Sequence, residues 1–229
     1  MMPADLRKAV SRLLGRDQRP RVRRYIPHEV SVELFFSSLQ QAGVRCVVLR
    51  WFETLPNIEM GEDIDILVQD DDLTVLGDFL DNTSGSVPCD IYTVGGLPGS
   101  QYRSRPYFPA RLAQSIIAGR LLLDGRYPVP STPDHFHSLA YHAVYQKGLQ
   151  SGLPTIHAEL SPMAAPEHDY AEVLARLRDE LGLDLTITME SLDKHLADLA
   201  YRPSHADLVN LARSNPWIGK HLLANSPGP

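Results

Sequence analysis

Apolar and polar residues alternate along the first half of the chain in patterns that name its elements. Over residues 28–43 the apolar positions Val30, Leu34, Leu39 and Ala42 give one side of a helix, and Gly43 is a natural stop. VRCVVLR (44–50) is nearly continuous in apolar residues, the mark of a buried strand. A loop containing Pro56 follows, and Gly61 opens a second strand, DIDILVQ (63–69). Asp70–Asp72 suit the cap of a helix running to about Asn82, and VPCDIYTV (87–94) reads as a third strand ending in the turn-rich GGLPGSQYRSRP. Helix, strand, strand, helix, strand predicts an α/β (α+β) fold: a small mixed sheet with flanking helices.

From about Pro109 the helical period takes over. A helix is expected over 109–120, broken by GRYPVPSTP, and a strong one over 134–148 carries His135, Phe136, His137, Leu139, Tyr141, His142, Val144 and Tyr145. After a Pro-containing loop (152–166), further helices are expected near 168–182, 189–200, 205–214 and 217–224, with the final SPGP frayed. The chain thus divides into a basic N-terminal arm (1–27), an α/β domain (28–108) and an all-helical half (109–229). There is no internal repeat and no low-complexity segment.

The chemistry lies in GEDIDILV (61–68). Alternation along a strand turns Asp63 and Asp65 to one face and Ile64 and Ile66 to the core. Two carboxylates about 7 Å apart on one face repel unless positive charge intervenes, and hard oxygen donors select Mg²⁺ or Mn²⁺. Asp90, on a second apolar strand, supplies a third carboxylate, and three such groups on neighbouring strands can hold two metal ions. The plainer reading is a solvated strand end or a capping cluster with Asp70–Asp72.

The stretch VVLRWFETLPNIEMGEDIDILV resembles the nucleotidyltransferase superfamily with the polymerase-beta-like core. More narrowly it resembles bacterial nucleotidyltransferase-like proteins in which a DIDLLV-type motif precedes a helical half. The motif likeness covers residues 28–95 and is looser over 130–220. It implies that Asp63, Asp65 and Asp90 are the catalytic, metal-holding carboxylates. It also implies Mg²⁺ (or Mn²⁺), a nucleoside triphosphate such as ATP as donor, and an acceptor hydroxyl on a small molecule, sugar, protein or RNA end. One departure matters: the superfamily's Gly-Ser or Gly-Gly pair on the strand before the acidic one is replaced by Leu49-Arg50-Trp51. That departure supports a second reading, a catalytically inactive nucleotidyltransferase-fold protein that binds through its cleft or its basic arm.

Other residues are candidates for the substrate. Arg50 suits phosphate, since a guanidinium forks onto its oxygens, and suits a structural salt bridge equally well. Arg103 and Arg105, with Arg111 beyond, form either a positive rim or a solvated loop. Tyr141, His142 and Lys147 line a cleft if their helix faces the carboxylates, and otherwise are core and surface residues. Three histidines in eight residues suggest zinc, but their spacing matches no common motif.

Composition adds location. The net charge of −6 conceals an arm, residues 1–24, with eight Lys/Arg against Asp5 and Asp17, so the remainder carries −12. Such an arm suits an anionic partner or membrane face, and Leu6, Val10, Leu13 and Leu14 share a helical face there that could equally dock on the protein itself. No apolar run approaches the roughly 20 residues of a membrane span, and no secretory signal is evident. Cys46 and Cys89 read as small buried hydrophobes in a reducing compartment. The expectation is a cytoplasmic protein, with a peripheral place at the membrane as the alternative.

Overall fold

A computed structural model describes residues 23–101 and 105–223 of the chain. The helical face proposed for Leu6–Leu14, Arg103 and the terminal SPGP lie outside the described residues.

The fold is mixed α and β. Four strands, β1 (Arg24–Ile26), β2 (Cys46–Val48), β3 (Ile64–Val68) and β4 (Val87–Thr93), form one sheet in the order β1-β4-β3-β2. The central pair β3–β4 is parallel, and both edge strands run antiparallel to their neighbours. Period-two alternation divides the sheet cleanly. Cys46, Val48, Ile64, Ile66, Val68, Cys89 and Ile91 bury against α1 (Val32–Gln41), while Val47, Leu49, Leu67 and Tyr92 bury on the other face against the helical half. Both cysteines are free and buried, and burial pushes the Cys46 thiol up to about 12.

Helix α1 is capped by Ser31, whose Oγ accepts from Leu34 N–H at 3.2 Å. Its buried face is Val32, Phe35, Phe36 and Leu39, the i, i+3, i+4, i+7 set; Leu34, expected on that face, is 55% exposed. The helix expected from Asp70 to Asn82 is shorter: a 3-10 turn at Asp70–Asp72 and α2 (Leu73–Asp78). Tertiary pairing ends it, since Asp81 exchanges two 2.8 Å backbone hydrogen bonds with Tyr25. Strand β1 itself falls at the end of the basic arm, where three residues are too few for a periodic signal.

The break at GRYPVPSTP belongs to a hairpin, β5 (Leu121–Leu123) and β6 (Tyr127–Val129), turning through Asp124 and Gly125, both at positive φ. Asp-Gly is a hairpin signal that the helical reading of this half passed over. Tyr127 and Val129 pack into the core beneath α1, with the Tyr127 ring edge-on to Phe36 at 5.6 Å.

The remaining helices are α3 (Ala110–Ala118), α4 (Thr132–Tyr141), α5 (Tyr170–Glu180), α6 (Met189–Asp198), α7 (His205–Leu211) and α8 (Pro216–Ile218). They share one continuous core with a sheet face: Leu49, Leu67 and Tyr92 cluster with Phe108, Leu112, Phe136, Tyr145 and Trp217. The change of element type near residue 108 is therefore not a break between cores, and the β5–β6 hairpin returns to the first half.

Helix α4 does not run to Gly148 in α geometry. It widens into a π turn at His142–Lys147 and then a 3-10 turn at Gly148–Ser151. The buried Asn215 side chain takes up carbonyls of the widened turn, donating to Val144 (2.8 Å) and Tyr145 (3.1 Å). Among the described residues no helix is long and apolar enough to cross a membrane.

Candidate functional site

The register of the central strands assembles the acidic group. Asp65 on β3 pairs directly with Asp90 on β4, and Asp63 lies two residues earlier on the same face. Their neighbours Ile64, Ile66, Cys89 and Ile91 go to the opposite, α1-facing side. All three carboxylates line a cleft of about 630 Å³ between the sheet and the helical half. Arg50 and Trp51 after β2, Tyr107, the π turn (His142, Gln146, Lys147), His168 in the loop before α5, and Tyr170 at the start of α5 also line it.

Cationic side chains meet the carboxylates. The Arg50 guanidinium lies 2.8 Å from Asp65, with both side chains less than a tenth exposed. Burial pushes the Asp65 carboxyl up to about 6; Arg50 offsets part of this, and Asp63 and Asp90 add to it. Burial opposes the charge on Arg50 in turn, but Asp65 outweighs it and holds the guanidinium more firmly protonated than usual. Arg23, just before β1, donates to Asp63, and its Nε lies 3.7 Å from Asp90. Gln101 Nε2 donates to Asp90 Oδ1 at 2.7 Å. Two guanidinium groups facing three carboxylates leave residual negative charge on the cleft floor.

This donor set suits a hard divalent cation. The Asp63 and Asp90 side chains are 30% and 17% exposed, and the half-exposed Arg23 that bridges them can be displaced without unpacking the core. Asp65 is more constrained, since Arg50 holds its Oδ2.

His142 is buried, with Nδ1 against the Tyr107 hydroxyl and Nε2 3.2 Å from the Tyr170 hydroxyl. Burial, with Arg50 and Lys147 nearby, drives its pKa well below the usual value. It is a neutral imidazole, able to hydrogen-bond but not to offer charge to a phosphate. Lys147 Nζ is 3.5 Å from Glu167 on the rim. Tyr141 is buried behind the cleft against Phe108 and Tyr145, outside its lining. Arg105 is exposed and is not among the residues that line the cleft, and Arg111 lies over the Tyr201 ring at 5.9 Å. His135 packs on Phe52 and His137 on His195, so neither joins His142 at the site.

Several site residues carry no signal in a one-dimensional reading. Arg23, Gln101, Tyr107 and Tyr170 are brought in by the fold alone. Trp51, directly after Arg50, occupies the left-handed region (φ 56) that favours glycine. Its ring stacks on His168 at 4.1 Å and 19°, with Tyr170 edge-on at 5.4 Å. A bulky residue held in that conformation costs roughly 1–3 kcal/mol and tends to mark a functional site. Glu62, Glu167 and His168 bring ligand atoms within 4.8 Å of one another at the same mouth. No family model matches this chain, and no curated protein or solved structure matches it.

Proposed function

We propose that the cleft binds a nucleoside triphosphate with Mg²⁺ or Mn²⁺ and moves its nucleotidyl group to an acceptor hydroxyl. The observation that carries this reading is the pairing of Asp65 with Asp90 across β3 and β4, with Asp63 beside them, on the floor of a polar cleft. Asp63, Asp90 and the remaining oxygen of Asp65 would hold the cation. When bound, it neutralises phosphate charge and makes the acceptor hydroxyl more acidic. The acceptor hydroxyl gives up its proton to Asp90 or to water, its oxygen forms a bond to the α-phosphorus, the bond to the β-phosphate oxygen breaks, and pyrophosphate leaves. The chain's own part is positioning. Lys147 faces the phosphates, the neutral His142 orients polar groups, and the Trp51–His168 stack offers a flat face to a base. Arg50 holds Asp65 in place.

A second reading has a specific observation behind it. The carboxylates already meet Arg23 and Arg50, and the Gly-Ser pair is absent, as in a cleft that binds without catalysis. Incubating each α-labelled triphosphate with Mg²⁺, the protein and fractionated cell extract separates the two. Label transferred to an acceptor, with pyrophosphate release, and both lost in Asp63→Asn/Asp90→Asn, supports transfer. Metal-dependent binding with no transferred label from any fraction supports the binding protein.

A further inference from the structure

Far from the carboxylates along the chain, three metal-ligating side chains converge. His157 lies in the loop before α5, Glu190 in the first turn of α6, and His221 in the π turn after α8. One ring nitrogen of each histidine and a carboxylate oxygen of Glu190 all lie within 4.8 Å of one another. His157 Nε2 and His221 Nδ1 are 3.1 Å apart. Two ligands bound tetrahedrally at about 2.0–2.1 Å from zinc stand roughly 3.3 Å apart, so the nitrogens need to move only a few tenths of an ångström.

Glu190 gives an independent sign. Its Oε1 accepts from Trp217 Nε1 at 2.8 Å and from the Thr155 hydroxyl, which fixes the carboxylate. Its Oε2 is buried and has no hydrogen-bond partner among the described residues. A buried carboxylate oxygen without a donor is costly, and a cation is the direct remedy. The Trp217 ring also stacks on His221 at 4.8 Å and 24°, orienting that imidazole. Trp217 and Thr155 thus form the kind of outer support that metal ligands require.

We infer that His157, Glu190 and His221 form a zinc site that clips the C-terminal turn onto α6 and the 152–169 loop. Two imidazoles and one carboxylate are a borderline-to-hard donor set that zinc takes readily. Binding displaces the hydrogen shared between the rings: the donor imidazole shifts tautomer, so that His157 carries its proton on Nδ1 and His221 on Nε2. All three residues are partly exposed, so a fourth position is open to water or an anionic ligand.

The test is a titration of the chelator-treated full chain with ZnCl₂ by calorimetry, alongside thermal melts and Co²⁺ absorption spectra. One zinc per chain bound in Asp63→Asn/Asp90→Asn as in wild type, a raised Tm and a tetrahedral cobalt spectrum are expected. His221→Gln should weaken zinc at least about tenfold and abolish the Tm rise. Asp63→Asn/Asp90→Asn should leave both intact, which separates this site from the cleft. His157→Gln is the second ligand variant, in case His221→Gln does not fold. Wild-type chain that takes up no zinc, or ligand variants that bind it as tightly as wild type, would overturn the assignment.

Discussion

Arg50 and Asp65 form a buried ion pair, 2.8 Å from nitrogen to oxygen, that joins the end of β2 to the acidic strand beneath the cleft. Two charges removed from water stay stable only while each keeps its partner. Asp65→Ala should therefore destabilise the protein by about 3–5 kcal/mol, because Arg50 remains buried and unpaired. Arg50→Met/Asp65→Leu should regain most of that loss. Urea unfolding of the three proteins measures both, and equal losses in the single and double variants would refute the pairing energetics.

Arg23 should behave differently. It bridges Asp63 and Asp90 from a half-exposed position, where an ion pair contributes at most about 1 kcal/mol. Arg23→Ala should leave Tm nearly unchanged yet tighten Mn²⁺ binding at the carboxylates severalfold, since the cation and the guanidinium occupy the same charge. Electron paramagnetic resonance of Mn²⁺ with the full chain reads the affinity. Weaker binding in the variant would show that Arg23 supports the site and does not compete for it.

Acid should weaken the fold through its buried histidines. Burial lowers His135 and His137 to about 4, so the unfolded chain binds more protons between pH 6.5 and 4 and stability falls as pH drops through that window. Each contributes ~3 kcal/mol at most. Asp65, raised to about 6, acts in the opposite sense and recovers part of the loss below that pH. Melting temperatures from pH 7 to 4 should decline, and the decline should be shallower in His137→Phe.

Gly148 closes the π turn that presents His142 and Lys147. Its φ is 56, and an added Cβ would sit 2.4 Å from the Asn215 side chain. Gly148→Ala should cost roughly 1–3 kcal/mol, from backbone strain and displacement of Asn215. It should also weaken nucleotide binding, whereas Gly182→Ala, also at positive φ but with open space around its Cβ, should affect stability alone. Denaturation and ligand titration of both variants make the comparison.

What the sequence discloses and what it hides follow from range. Alternation in DIDILV suffices to place Asp63 and Asp65 on one face and Ile64 and Ile66 on the other, because strand period is a local property, and it leaves the face of Asp90 open. It could not indicate that β3 and β4 are parallel neighbours, which is what sets Asp65 opposite Asp90. Strand β1, three residues long, depends on pairing with a segment more than 60 residues away. Arg50 was legible as either a phosphate contact or a salt bridge, and only its neighbours decide for the ion pair. Tyr141 and His142 are adjacent in sequence, and the widened turn puts one in the core and the other in the cleft. The His157–Glu190–His221 group draws on three segments and has no linear spacing to recognise.

If the carboxylate cleft is a metal-dependent nucleotide site, nucleotide and metal together stabilise the fold, and a thermal-shift panel of ATP, GTP, CTP and UTP, each with and without Mg²⁺ or Mn²⁺, reads this directly. Wild type is compared with Asp63→Asn/Asp90→Asn, which spares the structural Arg50–Asp65 pair. A ligand at about 100 times its dissociation constant adds roughly 2.7 kcal/mol to native stability. A stabilising shift is expected for at least one nucleotide, one that requires the metal and disappears in the variant. No shift with any nucleotide, or one that persists unchanged in the variant or without metal, would contradict it.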